Sequence, residues 1–399
     1  MLTQHVLREV ENDAVSNNQM LTFKILMKSI TLQMCKKYPK IYSKEDPMPQ
    51  RALLINDTED VYHWGCYGTS HAVKEKINKN GMKLVDTIPV YDVHNLRWFP
   101  NHANKFSDKA NFVEKLPEIA IKIDNCDVVI INGEGTIHHF SGYPKALLFL
   151  IYSAKTFFNK KVILINHSCF PSTEDSETIN FYKKAYACCD YIAAREKRSV
   201  ATITNELRMP CTLAFDSLPL TAKSVENKLY KPISEKYVCI SGAVNYKHER
   251  SGMIAKIIQN HFPNHRYIYL AGSKEEGIHH EEPIVYESLK KHMHNIEMYE
   301  AKTFEEWLSV IKNAKILISG RYHYTIGAMC TGTPTVYFPS NTPKIDAIAE
   351  EYGLPKPVVS ENDKKFKLKF YMAIAWAKLR RWHNLCDKLC KSAENNYNW

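Results

Sequence analysis

The sequence predicts an α/β protein with two parallel sheets facing a crevice. Three observations carry this. Short apolar runs recur along the 399 residues, separated by stretches of helical pattern; buried strands that alternate with helices read as parallel sheets covered on both faces. The pattern halts at the polar stretch 222–236 and then restarts. Residues able to do chemistry cluster just after predicted strands, and open α/β sheets bind ligands outside the carboxyl ends of their strands.

In order, residues 1–48 read as helical and mixed. Residues 52–55 form a short strand ending in Asn56, Asp57 and Thr58. A glycine-containing loop from Tyr62 to Ser70 then leads into a helix near 71–80. Strands follow at 82–89, 127–132, 161–166, 191–194 and 211–215. The run 146–154 is too short to span a bilayer and reads as a buried helix. Beyond the polar stretch, strands are predicted at 237–242, 267–272, 296–299, 316–319 and 335–338. Residues 365–396 are basic and helical, with Trp376 and Trp382. The predicted division is 1–225, 226–365 and a segment 366–399 that packs back on the first domain; two domains suit this length.

A formal charge of +10 raises the local concentration of anions. The lysines are dispersed, and no zinc-finger or RNA-binding signature occurs, so nucleic acid is not an expected partner. Eleven cysteines, odd in number and without a Cys-x-x-Cys pair, read as reduced packing thiols. No metal and no cofactor are expected. Walker and Gly-x-Gly-x-x-Gly motifs are missing, which argues against NTPase and nicotinamide chemistry. The first residues lack a signal-peptide pattern, so a cytoplasmic location is expected.

The most informative stretch is 315–338: strand, glycine turn at Gly320, small-residue helix, second strand. It delivers Arg321, Tyr322, His323 and Thr325 to a helix N-terminus, where unpaired N–H groups and the dipole favour an anion. Arg321 adds a forked cation. Glu134, between Gly133 and Gly135 after a buried strand, reads either as a solvated turn acid or as a general acid/base. His138 and His139 follow on an expected helix, and one of them can reach the site. Asp216, between an apolar strand and Pro219, either caps a turn or serves as nucleophile or base. Arg195 ends a strand and either clamps a carboxylate or phosphate or forms an interdomain ion pair. His63, Trp64, Thr69 and Ser70 are candidate sugar contacts, and Ser241 and Gly242 end the first strand of the second half.

Together these residues resemble the polysaccharide pyruvyl transferase superfamily. The carriers are Gly133-Glu134-Gly135-Thr136, Arg195-Glu196 with Ser199, Asp216, and Gly320-Arg321-Tyr322-His323 followed by Gly332 and Pro334. The similarity spans residues 50–355 in order. It implies two Rossmann-like domains of glycosyltransferase-B type, with Arg195, Arg321 and His323 binding phosphoenolpyruvate in pyruvyl transferases. Two departures, Glu134 in place of a glycine and the 64–70 loop, look more like the bacterial β-Kdo transferases, which use a CMP-activated 3-deoxy-octulosonic acid. That resemblance implies a retaining glycosyltransferase for bacterial surface polysaccharide, with an acceptor domain first and a donor-nucleotide domain second. Asp216 would attack and Glu134 would deprotonate the acceptor, with His138 a further catalytic candidate. Arg195, Ser241, Gly242, Gly320, Arg321, Tyr322, His323 and Thr325 would hold the donor. The implied partners are a sugar nucleotide and a glycan or lipid-linked glycan. The basic C-terminal segment adds an anionic membrane surface at the cytoplasmic face as an expected partner.

Overall fold

The computed structural model describes residues 49–399 apart from 61–62, 107, 136, 140, 172–175, 244–245 and 273–280. The helical reading of residues 1–48 lies outside the described residues. Residues Gln50–Trp399 form one compact unit.

Six strands form the first sheet: β1 (Arg51–Asp57), β2 (Lys83–Pro89), β3 (Val128–Glu134), β4 (Lys161–His167), β5 (Tyr191–Ala194) and β6 (Thr212–Leu213), in the order β2-β1-β3-β4-β5-β6. Five form the second: β7 (Tyr237–Ala243), β8 (Arg266–Ala271), β9 (Ile296–Glu300), β10 (Ile316–Gly320) and β11 (Thr335–Tyr337), in the order β11-β10-β7-β8-β9. Every pairing is parallel. The order reverses between β1 and β3 in one sheet and between β7 and β10 in the other. Such switch points open a crevice at the strand ends. Arg321 follows β10 and Glu134 ends β3, so both lie beside these openings.

The central strands β3, β7 and β10 are buried throughout because helices cover both faces. The apolar run 146–154 lies inside the helix Gly142–Thr156, whose Leu147, Leu148, Leu150 and Ile151 enter the first core. Three strands finish in left-handed backbone: Asn56 (φ 66°) after four apolar residues, Glu134 (φ 33°) and Asn166 (φ 57°). Asparagine tolerates this region better than most residues. The asparagines tie the strand ends together: Asn56 Nδ2 donates to Asn132 O at 2.6 Å, and Asn166 Nδ2 to Asn132 Oδ1 at 2.8 Å.

One local expectation is corrected. His138 and His139 are not helical: the helix begins at Gly142, His138 bridges to Phe170, and His139 has φ 57°. The C-terminal segment is two helices, Asp363–Leu379 and Cys386–Ala393. The first packs Phe366, Phe370, Ile374 and Ala377 on the second sheet. The second packs Cys386, Leu389 and Ala393 with Leu218 and Ala222 of the helix Leu218–Ser224, and the end of the chain meets the first sheet, where Asn395 Nδ2 donates to Leu213 O, Asn396 Nδ2 to Phe215 O, and Tyr397 pairs with Ser217.

Candidate active site

A cleft of about 360 Å³ opens at the strand ends of both sheets. Thr58, Cys66, Glu134, Arg195, Arg321, Tyr322, His323 and Lys344 are among its walls, with His63, His94, His138 and Ser340 further round. Three cations therefore face one carboxylate.

Glu134 accepts from Thr58 Oγ1 at 2.7 Å, and Thr58 is in turn bonded to Ser70. His323 Nε2 stands 3.5 Å from Glu134 Oε1 and 3.4 Å from Asp216 Oδ2. Two carboxylates on that side favour a proton on Nε2. Nδ1 lies 3.8 Å from Cys66 Sγ. His323 approaches this closely because Gly65 has no side chain: a Cβ there would sit 2.2 Å from the His323 Cβ. His63 caps the helix Trp64–Lys79 by accepting from Gly65 N–H through Nδ1 at 3.1 Å.

Asp216 is built differently. It is fully buried and does not line the cleft. Its Oδ1 accepts from Thr69 Oγ1 and from Leu218 N–H, each at 2.9 Å. Its Oδ2 accepts from Arg195 Nη1 at 2.7 Å. Burial alone would raise this carboxyl, but the facing His323 and Arg195 and the Leu218 N–H outweigh it and hold it well below the carboxylate range. Arg195 also donates through Nε to Ser168 Oγ at 3.0 Å and lies 4.5 Å over the Tyr322 ring.

Other predicted contacts lie one layer back. Thr69 and Ser70 are buried and spend their hydroxyls on Asp216 and Thr58, so direct acceptor contact is closed to them here. Trp64 reaches across to donate to Ala301 O at 2.9 Å. Ser241 is bonded to Ser319, and Thr325 back-bonds to the Arg321 carbonyl. Gly320 packs against Ala243. Gly242 provides the floor for Arg321, whose Nε would lie 3.5 Å from a Cβ added there. His138 lines the cleft; burial, with help from the Lys344 cation, lowers it to about 4, so it is a neutral imidazole.

Lys344 was not anticipated. It starts the helix Lys344–Glu351 behind Pro343 and lies 5.6 Å from the Tyr322 ring centroid. Burial and the nearby Arg195 pull it down to about 8. A lysine at a helix start opposes the dipole, and that was the available signal.

The ligand atoms of His63, Cys66 and His323 lie within 4.8 Å of one another, a spacing a divalent ion could bridge. The Gly65 bond, however, leaves the His63 proton on Nε2, the atom 3.6 Å from Cys66 Sγ. The trio is thus arranged as a hydrogen-bonded chain.

A family model described as polysaccharide pyruvyl transferase matches residues 34–342. No curated protein matches the chain significantly. Among solved structures, the UDP-GlcNAc 2-epimerase of Neisseria meningitidis bound to UDP-GlcNAc is 14% identical with a TM-score of 0.53, over 87% of this chain and 95% of that one. MnaA of S. aureus with UDP is 12% identical with a TM-score of 0.56, over 87% and 92%. Sucrose-phosphate synthase of Thermosynechococcus elongatus is 14% identical with a TM-score of 0.52, over 88% and 95%. These likenesses show the fold: two Rossmann-like domains in the glycosyltransferase-B arrangement.

Proposed function

The chain belongs to the polysaccharide pyruvyl transferase family, and from that premise we propose that it moves a 2-keto-acid unit from a phosphate-activated donor onto a glycan hydroxyl, forming a ketal. The observation that carries this is the convergence of Arg195, Arg321 and Lys344 on a cleft whose acid is Glu134. Such a donor is doubly anionic, with a carboxylate beside the reacting carbon and a phosphate as leaving group. Arg195 donates to Ser168 through Nε and to Asp216 through Nη1, which leaves Nη2 for the donor carboxylate. Arg321 and Lys344 suit the phosphate. Protein cations supply the charge stabilisation, so no resident metal enters the scheme.

With a sugar-acid donor, Glu134 would take the acceptor proton as the acceptor oxygen bonds to the anomeric carbon and the carbon–oxygen bond to phosphate breaks, the pair leaving with phosphate; with phosphoenolpyruvate the methylene carbon also gains a proton and a second acceptor hydroxyl adds to the same carbon, losing its proton, to close the ketal. His323 orients Glu134. Asp216 holds Arg195 and His323 in place. Its role as a covalent nucleophile, which the resemblance implies, requires Arg195 to release Oδ2 as the donor carboxylate arrives.

The first finer reading is transfer of a 3-deoxy-ulosonic acid (Kdo-type) from a CMP-sugar during surface polysaccharide assembly. A second cavity of about 230 Å³ favours it: Ala243, Tyr246, Arg250 and Phe338 line it at the ends of β7 and β11, with room and rings for a nucleoside. The second reading is pyruvyl transfer from phosphoenolpyruvate, favoured by the family description itself. Calorimetry of CMP and of phosphoenolpyruvate on wild type and Arg321→Ala tests both. CMP binding lost in the variant supports the first. Phosphoenolpyruvate binding without CMP supports the second. Binding of neither, or binding unchanged by the variant, overturns the donor site.

A further inference from the structure

We propose that the helix Asp363–Leu379 docks on an anionic lipid surface. It is apolar on two opposite faces. Phe366, Phe370, Ile374 and Ala377 are buried in the second core. Leu368 is 61% exposed, Tyr371 51%, Met372 59%, Trp376 43% and Leu379 87%. At roughly 100° per residue, this second stripe points directly away from the first. An exposed apolar stripe on an otherwise ordinary surface calls for a partner. Val359, 51% exposed, precedes the helix and extends the apolar surface.

The charge around the stripe identifies the partner. Lys364, Lys367 and Lys378 flank one side, Lys365 and Lys369 the other, and Arg380 and Arg381 close the end. Arg380 lies 4.8 Å from the Trp376 ring centroid and 5.3 Å from that of Trp382. The helix's own acid, Asp363, is taken by Arg250 at 2.8 Å. No ion pair joins Lys364, Lys365 or Lys367 to any described residue. Apolar side chains of intermediate depth, a tryptophan at the edge and lysines on both flanks are the composition of a helix lying in a headgroup layer. Each nearby cation adds attraction to anionic lipid, screened by salt. No helix among the described residues is long and apolar enough to cross a membrane, so this face would hold the protein on the surface.

The test is co-sedimentation of the full chain with phosphatidylcholine vesicles, with and without phosphatidylglycerol. Wild type is expected to pellet with the anionic vesicles at low salt and to be released at high salt. Leu368→Ser, Met372→Ser and Leu379→Ser together should weaken binding at least tenfold. Lys364→Glu, Lys365→Glu and Lys367→Glu together should remove the preference for phosphatidylglycerol. All six positions are exposed, so unchanged circular dichroism and thermal midpoints are expected. Wild type left in the supernatant, or variants that bind equally well, overturns the proposal. So does a wild-type dimer on gel filtration that the serine variant converts to monomer without any change in vesicle binding, because the stripe would then cover a second copy of the chain.

Discussion

Arg195 and Asp216 form an ion pair at 2.7 Å with side-chain exposures of 1% and 0%. Both oxygens of the acid are occupied and the arginine is shared with the cleft. The pair therefore fixes the arginine in the cleft wall.

Removing one partner leaves a buried, uncompensated charge, which costs about 3–5 kcal/mol. Asp216→Ala is expected to abolish transfer and lower stability by roughly that amount in urea unfolding. Arg195→Met with Asp216→Leu should recover much of the stability and none of the activity. Asp216→Ala with unchanged stability would remove the pair's structural role. A donor adduct on Asp216 in mass spectrometry would show that donor binding opens the pair.

The depressed Asp216 carboxyl gives a sign to acid behaviour. Its folded pKa lies below its unfolded value. The stability it contributes is complete above the ordinary carboxylate range and is lost as pH falls below it. Wild type should lose stability below about pH 4 more steeply than an Asp216→Asn variant. Parallel curves would contradict this.

Glu134→Gln should lower kcat by about 10²–10⁴-fold while the donor binds within a few-fold of wild type. A rate near wild type would take Glu134 out of the chemistry.

Burial and the nearby Arg195 pull Lys344 down to about 8, so its charge is present below that pH and lost above it. The kcat/KM for the donor should fall as pH rises through about 8. Lys344→Arg should move that fall upward by two units or more, since arginine stays charged. An unmoved limb would assign the titration elsewhere.

Gly65→Ala places a Cβ 2.2 Å from that of His323. The imidazole must shift, and activity should drop at least tenfold with the fold retained by circular dichroism. Dialysis against EDTA is expected to leave transfer unchanged. Activity lost there and restored by a divalent ion would point to His63, Cys66 and His323.

For Lys344 the sequence carries one signal, a lysine at a helix start; strand endings reveal which residues reach a crevice but not what a helix start on a neighbouring loop contributes. The glycines were legible in kind only. The sequence places Gly133 in a turn, yet it lies within β3, where a Cβ would meet that of His167 at 2.4 Å. The apolar run after His138 and His139 carries a helix signal, but the helix starts only at Gly142.

By itself the sequence determined the alternation of buried strands and helices, the restart after residue 236, and the strand ends that carry Glu134, Arg195, Asp216 and Arg321. Those follow from local apolar patterning and turn chemistry. Only the tertiary structure decided which acid faces the cleft. Glu134 and Asp216 look alike as carboxylates after strands. Asp216 is closed off by partners 147, 21 and 2 residues away, Thr69, Arg195 and the Leu218 N–H, together with His323. Glu134 keeps a face on the cleft. A carboxylate's availability depends on which donors the fold brings to it, and no local pattern records that.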